Sequence, residues 1–178
     1  MWLQVLPNAI SDEDINKIIS LKKKYPMEIG ETQGGNTELR RAKVIYFNPD
    51  DELWVFNILG TIGEWANKLY NFDIERVETA QYAEYYDSNR GTYDWHIDSY
   101  PWGTVELQRK ISIAIQLSDS NDYEGGDFIL DVEPKSNFDI RKKGTAIIFP
   151  SYLRHTVKPV TKGERKSLVS WIQGVEFR

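Results

Sequence analysis

The 178-residue chain contains no cysteine. Disulfides, thiolate nucleophiles and iron–sulfur clusters all need that side chain and are excluded with it. Histidine is nearly absent: there are two, His96 and His155. Any imidazole chemistry must use one or both. No apolar run approaches the roughly twenty residues that span a bilayer. Met1 to Pro7 lacks the basic start and apolar stretch of a signal peptide. These absences predict a chain without a membrane segment and a cytoplasmic location. Positive charge is in deficit too: 22 Lys and Arg face 27 Asp and Glu, a net −5. A large nucleic-acid footprint needs a basic surface, so that partner is disfavoured. The local groups Lys22-Lys23-Lys24 and Arg40, Arg41 and Lys43 read as solvated surface.

What is abundant is aromatic: 13%, with six Trp and ten Tyr, more than a surface needs and suited to core or cavity lining. The length predicts one domain over 1–178, with a strand-rich core expected in about 72–178. Trp2 to Leu6 alternates as a strand. Ser11 is a good N-cap, followed by three acids in the first helical turn, and the helix should run to about Tyr25, stopping before Pro26. Met27 to Leu39, with Gly30, Gly34 and Gly35, reads as a long loop of the kind used as a lid or binding loop. Arg41 to Phe47 reads as a strand, and Glu52 to Tyr70 as an amphipathic helix.

From Phe72 the period changes to two. Ile74, Val77, Thr79, Gln81, Ala83 and Tyr85 predict a long strand to Tyr86. Asp87 to Gly91 is a turn, and Thr92 to Asp98 resumes extended structure. Further strands are expected at Leu107–Leu117, Phe128–Val132, Phe138–Arg141, Thr145–Phe149, His155–Val160 and Lys166–Val175. Ser118 to Gly126 is a turn-rich connection in which Gly125-Gly126 makes a tight turn. About eight short strands after two helices imply an α+β fold, a double-sheet jelly roll whose mouth can hold a cofactor.

His96-Ile97-Asp98 puts an imidazole and a carboxylate two residues apart, on one face if the segment is a strand. With His155 from another strand, this is the 2-His-1-carboxylate set of non-haem iron oxygenases. Three protein ligands leave three positions open, two for a bidentate keto acid and one for dioxygen. Arg165, in Gly163-Glu164-Arg165-Lys166-Ser167, is placed to grip the far carboxylate of such an acid bidentately. Ser167 shares its strand face and could add a hydroxyl donor. Tyr82 and Tyr93 are candidate donors beside the site, although a barrel tyrosine is more often core. Trp171 reads as cavity wall or core.

Several blocks carry a resemblance. They are Tyr82; Tyr93 ahead of His96-x-Asp98; Arg109-Lys110-Ile111-Ser112; Asp122 to Asp127; Lys143 to Pro150; His155 to Arg165; and Trp171-Ile172-Gln173. Together they resemble the 2-oxoglutarate- and Fe(II)-dependent dioxygenases, in the prolyl 4-hydroxylase-like branch and near the small PKHD-type hydroxylases. The resemblance implies a double-stranded β-helix (cupin-like) core with supporting N-terminal helices. It implies metal ligands at His96, Asp98 and His155, and 2-oxoglutarate held by Arg165 with Tyr82 as partner. It implies hydroxylation of a prolyl or similar residue in a peptide or protein, using O2 and releasing succinate, with ascorbate as an auxiliary. The polar turn Asp87 to Gly91 and the Gly-rich loop Ile29 to Asn36 depart from the family pattern where substrate would be gripped. Two alternatives remain: the same chemistry on a small molecule or nucleobase, and a non-catalytic jelly-roll module holding a structural metal such as zinc.

Overall fold

A computed structural model describes residues 2–32, 38–101, 103–132 and 139–176. In chain order the elements are β1 (Gln4–Leu6), α1 (Asp12–Ser20), β2 (Glu28–Ile29), β3 (Arg40–Arg41), β4 (Lys43–Tyr46), α2 (Leu53–Tyr70), β5 (Arg76–Tyr86) and β6 (Thr92–His96). Then come β7 (Leu107–Gln116), β8 (Tyr123–Gly125), β9 (Phe128–Leu130), β10 (Ala146–Pro150), β11 (His155–Val157) and β12 (Val160–Val175). The predicted α+β class holds, as does the pair of sheets. The larger sheet runs β1-β10-β7-β12-β5-β4-β2, with β8 added to the end of β12. The smaller runs β3-β6-β11-β9.

Strand alternation divides the larger sheet into two faces. Ile111, Ile113 and Ile115 of β7, Ala146 and Ile148 of β10, and Leu168 and Ile172 of β12 pack with Ile15 and Ile18 of α1 and Val55, Leu59 and Ile62 of α2. That is the helix-side core. The opposite face supplies Val44, Ala83, Tyr85, Ile147 and Phe149, which meet Phe128, Leu130 and Val157 of the smaller sheet. Tyr85, Phe128, Phe149 and Val157 of this second core also line the cavity between the sheets.

Local chemistry explains the boundaries. Ser11 Oγ accepts the Asp14 amide at 3.0 Å, capping α1 as expected. The α-helix ends at Ser20, earlier than Tyr25, because the chain tightens into a single 3₁₀ turn over Leu21–Lys23 ahead of Pro26. α2 ends on Asn71, which adopts the left-handed conformation (φ 53°) common at helix ends.

The long loop is partly strand, since β2 pairs with β4. Residues 33–37 of its Gly-rich part lie outside the described residues. The strand expected at Phe138–Arg141 is a turn in its described part, where Asp139 Oδ1 accepts the Arg141 amide at 2.9 Å; Phe138 lies outside the described residues. Val160 to Val175 is one continuous strand rather than a resumption at Lys166, because β8 pairs with its first turn-like stretch. No described helix is long and apolar enough to cross a membrane.

Candidate functional site

β6 ends on His96, and antiparallel pairing sets it directly opposite His155 of β11. His96 Nδ1 lies 2.7 Å from the Asp94 carbonyl and His155 Nδ1 lies 3.0 Å from the Leu153 carbonyl. A carbonyl can only accept, so both Nδ1 atoms carry the proton and both Nε2 lone pairs are free to ligate. Both Nε2 atoms point at Asp98, at 3.6 Å from Oδ1 for His96 and 3.5 Å from Oδ2 for His155. The ligand atoms of all three residues lie within 4.8 Å of one another. The strand reason expected for the His-x-Asp spacing is only half the story. β6 stops at His96, and Asp98 is fixed beyond it by its own amide and that of Ser99, both donating to the Ser151 carbonyl at 2.9 and 3.1 Å.

Asp98 is buried and oriented by a neighbour the sequence reading did not single out. Ser112 Oγ, on the cavity face of β7, donates to Asp98 Oδ2 at 2.7 Å and sits 2.9 Å from Ser151 Oγ. Burial by itself raises the Asp98 carboxyl's affinity for a proton. The two neighbouring imidazoles, His155 first, more than offset this and hold it well below the usual carboxylate range. Burial pushes the His155 imidazole down against the pull of Asp98. Two neutral imidazoles and one carboxylate are the state a divalent metal requires.

The cavity beside this triad is lined by Arg165, Ser167, Val169 and Trp171 of β12, Gln81 and Tyr85 of β5, Tyr93, Ser112 and Arg40. Four alternate residues of β12 therefore face one way, and the strand's irregularity falls after Trp171. Arg165 is 1% exposed, yet among the described residues no carboxylate pairs with it. Its Nε and Ser167 Oγ are buried with no hydrogen-bond partner among the described residues. Native interiors rarely leave such groups unmet. A cluster of them around one cavity fits a polar, anionic guest. Gly126 shapes this floor: its φ is +63°, and a Cβ there would come within 3.1 Å of Arg165 Cδ.

Tyr93 stands where expected, its ring stacked 3.5 Å from that of His96, with burial pushing its hydroxyl up to about 12. Tyr82 does not. It lies on the helix side of β5, in the core with Leu59 and Ile113, and its hydroxyl donates to Glu84 Oε1 at 2.5 Å. Alternation is the reason: Gln81, Ala83 and Tyr85 face the cavity, so Tyr82 and Glu84 face away. Gln81 and Tyr85 are the β5 residues at the cavity, and the period-two pattern already carried that phase. Arg40 is a second correction. It is 5% exposed and lines the cavity, not a solvated surface.

This geometry agrees with what the chain is similar to. Residues 80–173 match the family model for the 2OG-Fe(II) oxygenase superfamily, over half of the sequence. The chain belongs to the 2OG-Fe(II) oxygenase superfamily. A PKHD-type hydroxylase of Alteromonas mediterranea is 36% identical over 95 residues, covering 49% of this chain and 41% of that protein. One from Rippkaea orientalis is 22% identical over 172 residues, covering 94% and 76%. The matched stretch thus spans about two fifths of the first relative and three quarters of the second.

Two solved structures share the fold. The viral collagen prolyl hydroxylase of Paramecium Bursaria Chlorella virus-1, as its 2OG complex, superposes with TM-score 0.75 at 21% identity, covering 98% of this chain and 97% of that one. A prolyl hydroxylase from Trichoplax adhaerens, in complex with a hypoxia inducible factor peptide fragment, gives 0.75 at 18%, covering 96% and 82%. Membership of this superfamily accounts for the Fe(II) and 2-oxoglutarate chemistry that the triad and the buried guanidinium fit.

Proposed function

We propose that the protein is an Fe(II)- and 2-oxoglutarate-dependent dioxygenase that hydroxylates a C–H bond in a prolyl or similar residue of a peptide or protein. The single observation that carries this reading is one cavity holding both the His96-Asp98-His155 donor set and a buried Arg165 that no carboxylate among the described residues pairs with. Bound iron would activate dioxygen, one oxygen atom entering the substrate C–H bond and the other entering succinate as 2-oxoglutarate loses carbon dioxide.

The chain's own residues do the positioning. His96 and His155 offer Nε2 because their Nδ1 protons are tied to carbonyls. Ser112 donates to Asp98 Oδ2 and orients the carboxylate toward the two imidazoles. Arg165 and Ser167 supply donors for the distal carboxylate of the co-substrate, a charge-assisted match. Trp171, Val169 and Phe149 give the cavity apolar wall. A peptide substrate is favoured by the Trichoplax relative, whose structure holds one.

The test is Fe(II)-dependent succinate formation from 2-oxoglutarate, with ascorbate present to keep iron reduced, across panels of peptides, free amino acids and nucleosides. A gain of one oxygen atom on a peptide supports the reading. Turnover confined to a free amino acid or a nucleoside would replace the substrate class, and no keto-acid turnover under any condition would sink the enzyme reading.

A further inference from the structure

The cavity wall holds a second buried guanidinium, Arg40, beside that of Arg165. Arg40 Nη2 donates to Gln81 Oε1 at 2.5 Å and Nη1 to the Glu31 carbonyl at 3.2 Å. Both acceptors are neutral. Its Nε is buried without a hydrogen-bond partner among the described residues. Gly30 closes over that side, where an added Cβ would come 3.1 Å from Nε. The guanidinium carbon lies 4.7 Å from the Tyr93 ring, which itself stacks on His96. One side chain, Tyr93, therefore separates Arg40 from His96.

No carboxylate among the described residues lies within ion-pair distance of Arg40. The segment 33–37, Gln-Gly-Gly-Asn-Thr, contains no acid either. The other arginine at the mouth shows the contrast. Arg109 is held by both oxygens of Glu78, at 2.7 and 2.5 Å. Charge bookkeeping singles out Arg40 again. Ferrous iron with Asp98, and Arg165 with a keto-acid dianion, together come to zero. Arg40 then remains as one positive charge in a desolvated wall, a costly arrangement unless an anion arrives.

The space in front of it is suited to one residue. A pocket of about 260 Å³, lined by Glu31, Arg40, Ile97 and Trp171, opens beside Asp98. That is smaller than the roughly 300–1,000 Å³ of drug-sized ligand sites. We propose that Arg40 is the receptor for a substrate carboxylate carried on, or next to, the residue that is oxidised. A planar guanidinium matches a carboxylate with two parallel hydrogen bonds. The carboxylate comes either from a chain terminus (or free amino acid) or from an acidic side chain, and the chemistry is the same. This inference rests on the oxygenase reading and narrows its substrate.

The experiment compares matched acid and amide probes. They are L-proline with L-prolinamide, a short peptide ending in proline with its amidated form, and a peptide with Asp beside proline with its Asn counterpart. Succinate formation and oxygen gain are scored for each, in the wild type and in Arg40→Gln and Arg40→Lys. The wild type should prefer the acid member of at least one pair by about thirtyfold in kcat/KM, the size of a charge-assisted hydrogen bond. Which pair responds identifies the source. Arg40→Gln should bring that ratio close to one, and Arg40→Lys should restore part of it. The ratio does not depend on the fraction of folded enzyme, so a merely structural role for Arg40 would leave it unmoved.

Equal use of acid and amide, no use of any acid member, or a preference that survives Arg40→Gln overturns the proposal. So does a rise confined to the KM for 2-oxoglutarate, which would assign Arg40 to the co-substrate. A protein that never turns over 2-oxoglutarate fails the functional reading first, and this inference with it.

Discussion

The two faces of the larger sheet are built from the same strands and bury their side chains equally well, yet they differ in what they bury. Toward α1 and α2 the strands present Ile111, Ile113, Ile115, Leu168 and Ile172, an apolar surface complete in itself. The buried acid on that side, Glu84, is met by the Tyr82 and Tyr86 hydroxyls and by Lys22. Toward the smaller sheet the same strands present Ser112, Arg165, Ser167 and Trp171, and there Arg165 Nε and Ser167 Oγ are buried with no hydrogen-bond partner among the described residues. A fold can carry such a deficit only because the other face is closed and strong. The helix side holds the sheet together, and the cavity side leaves its donors for guests.

Substitutions on each face sharpen or break that contrast. The largest effect is expected from Arg165→Gln. Removing a buried charge partner costs about 2–5 kcal/mol of binding. The affinity for 2-oxoglutarate should therefore fall by about a hundredfold or more, read by anaerobic titration, while Fe(II) binding in the absence of keto acid changes far less. Equal losses of both would mean that Arg165 supports the whole barrel instead of one carboxylate.

Leu59→Ala, on α2 and fully buried, comes next. It should cost about 3 kcal/mol of stability through lost burial and the cavity left behind, measured by urea unfolding, with 2-oxoglutarate affinity unchanged at temperatures where the protein is folded. A matching loss of keto-acid affinity would show that the two faces are not independent.

Ser112→Ala tests the cavity side at closer quarters. Groups that orient a metal ligand are worth about 10–100-fold in metal affinity, so Fe(II) affinity should drop by that factor with little change in stability. Tyr82→Phe is the smallest. It removes one donor from Glu84 and should cost about 1 kcal/mol, with the KM for 2-oxoglutarate unmoved. A clear rise in that KM would return Tyr82 to the site and contradict the strand phase described above.

Much of the site is legible in the residues because the chemistry is scarce. With two histidines and no cysteine, the ligand set had few ways to be assembled, and the structure gathers the three predicted side chains. Arg165 and Ser167 follow from alternation along β12. Tyr82 is where a resemblance and the strand period disagreed, and the period was the better guide. Gln81 and Tyr85 already stood in phase with the cavity.

What was not legible depends on contacts between distant segments. Arg40 reads as one of several surface basics until β3 pairs with β6 and sets it against Tyr93. Asp98 owes its position to the Ser151 carbonyl and its orientation to Ser112, neither close to it in the chain. The short strands β2, β3 and β8 have two or three residues each, too few for a period to show.

The central claim is that one cavity binds iron through His96, Asp98 and His155 and binds 2-oxoglutarate to that iron. The most direct measurement is the visible spectrum of the protein titrated anaerobically with Fe(II) and then 2-oxoglutarate. The expected result is a metal-to-keto-acid charge-transfer band that saturates at one equivalent of each and is lost in His155→Ala. A wild-type protein that shows no band, or a band that His155→Ala leaves intact, would contradict the account.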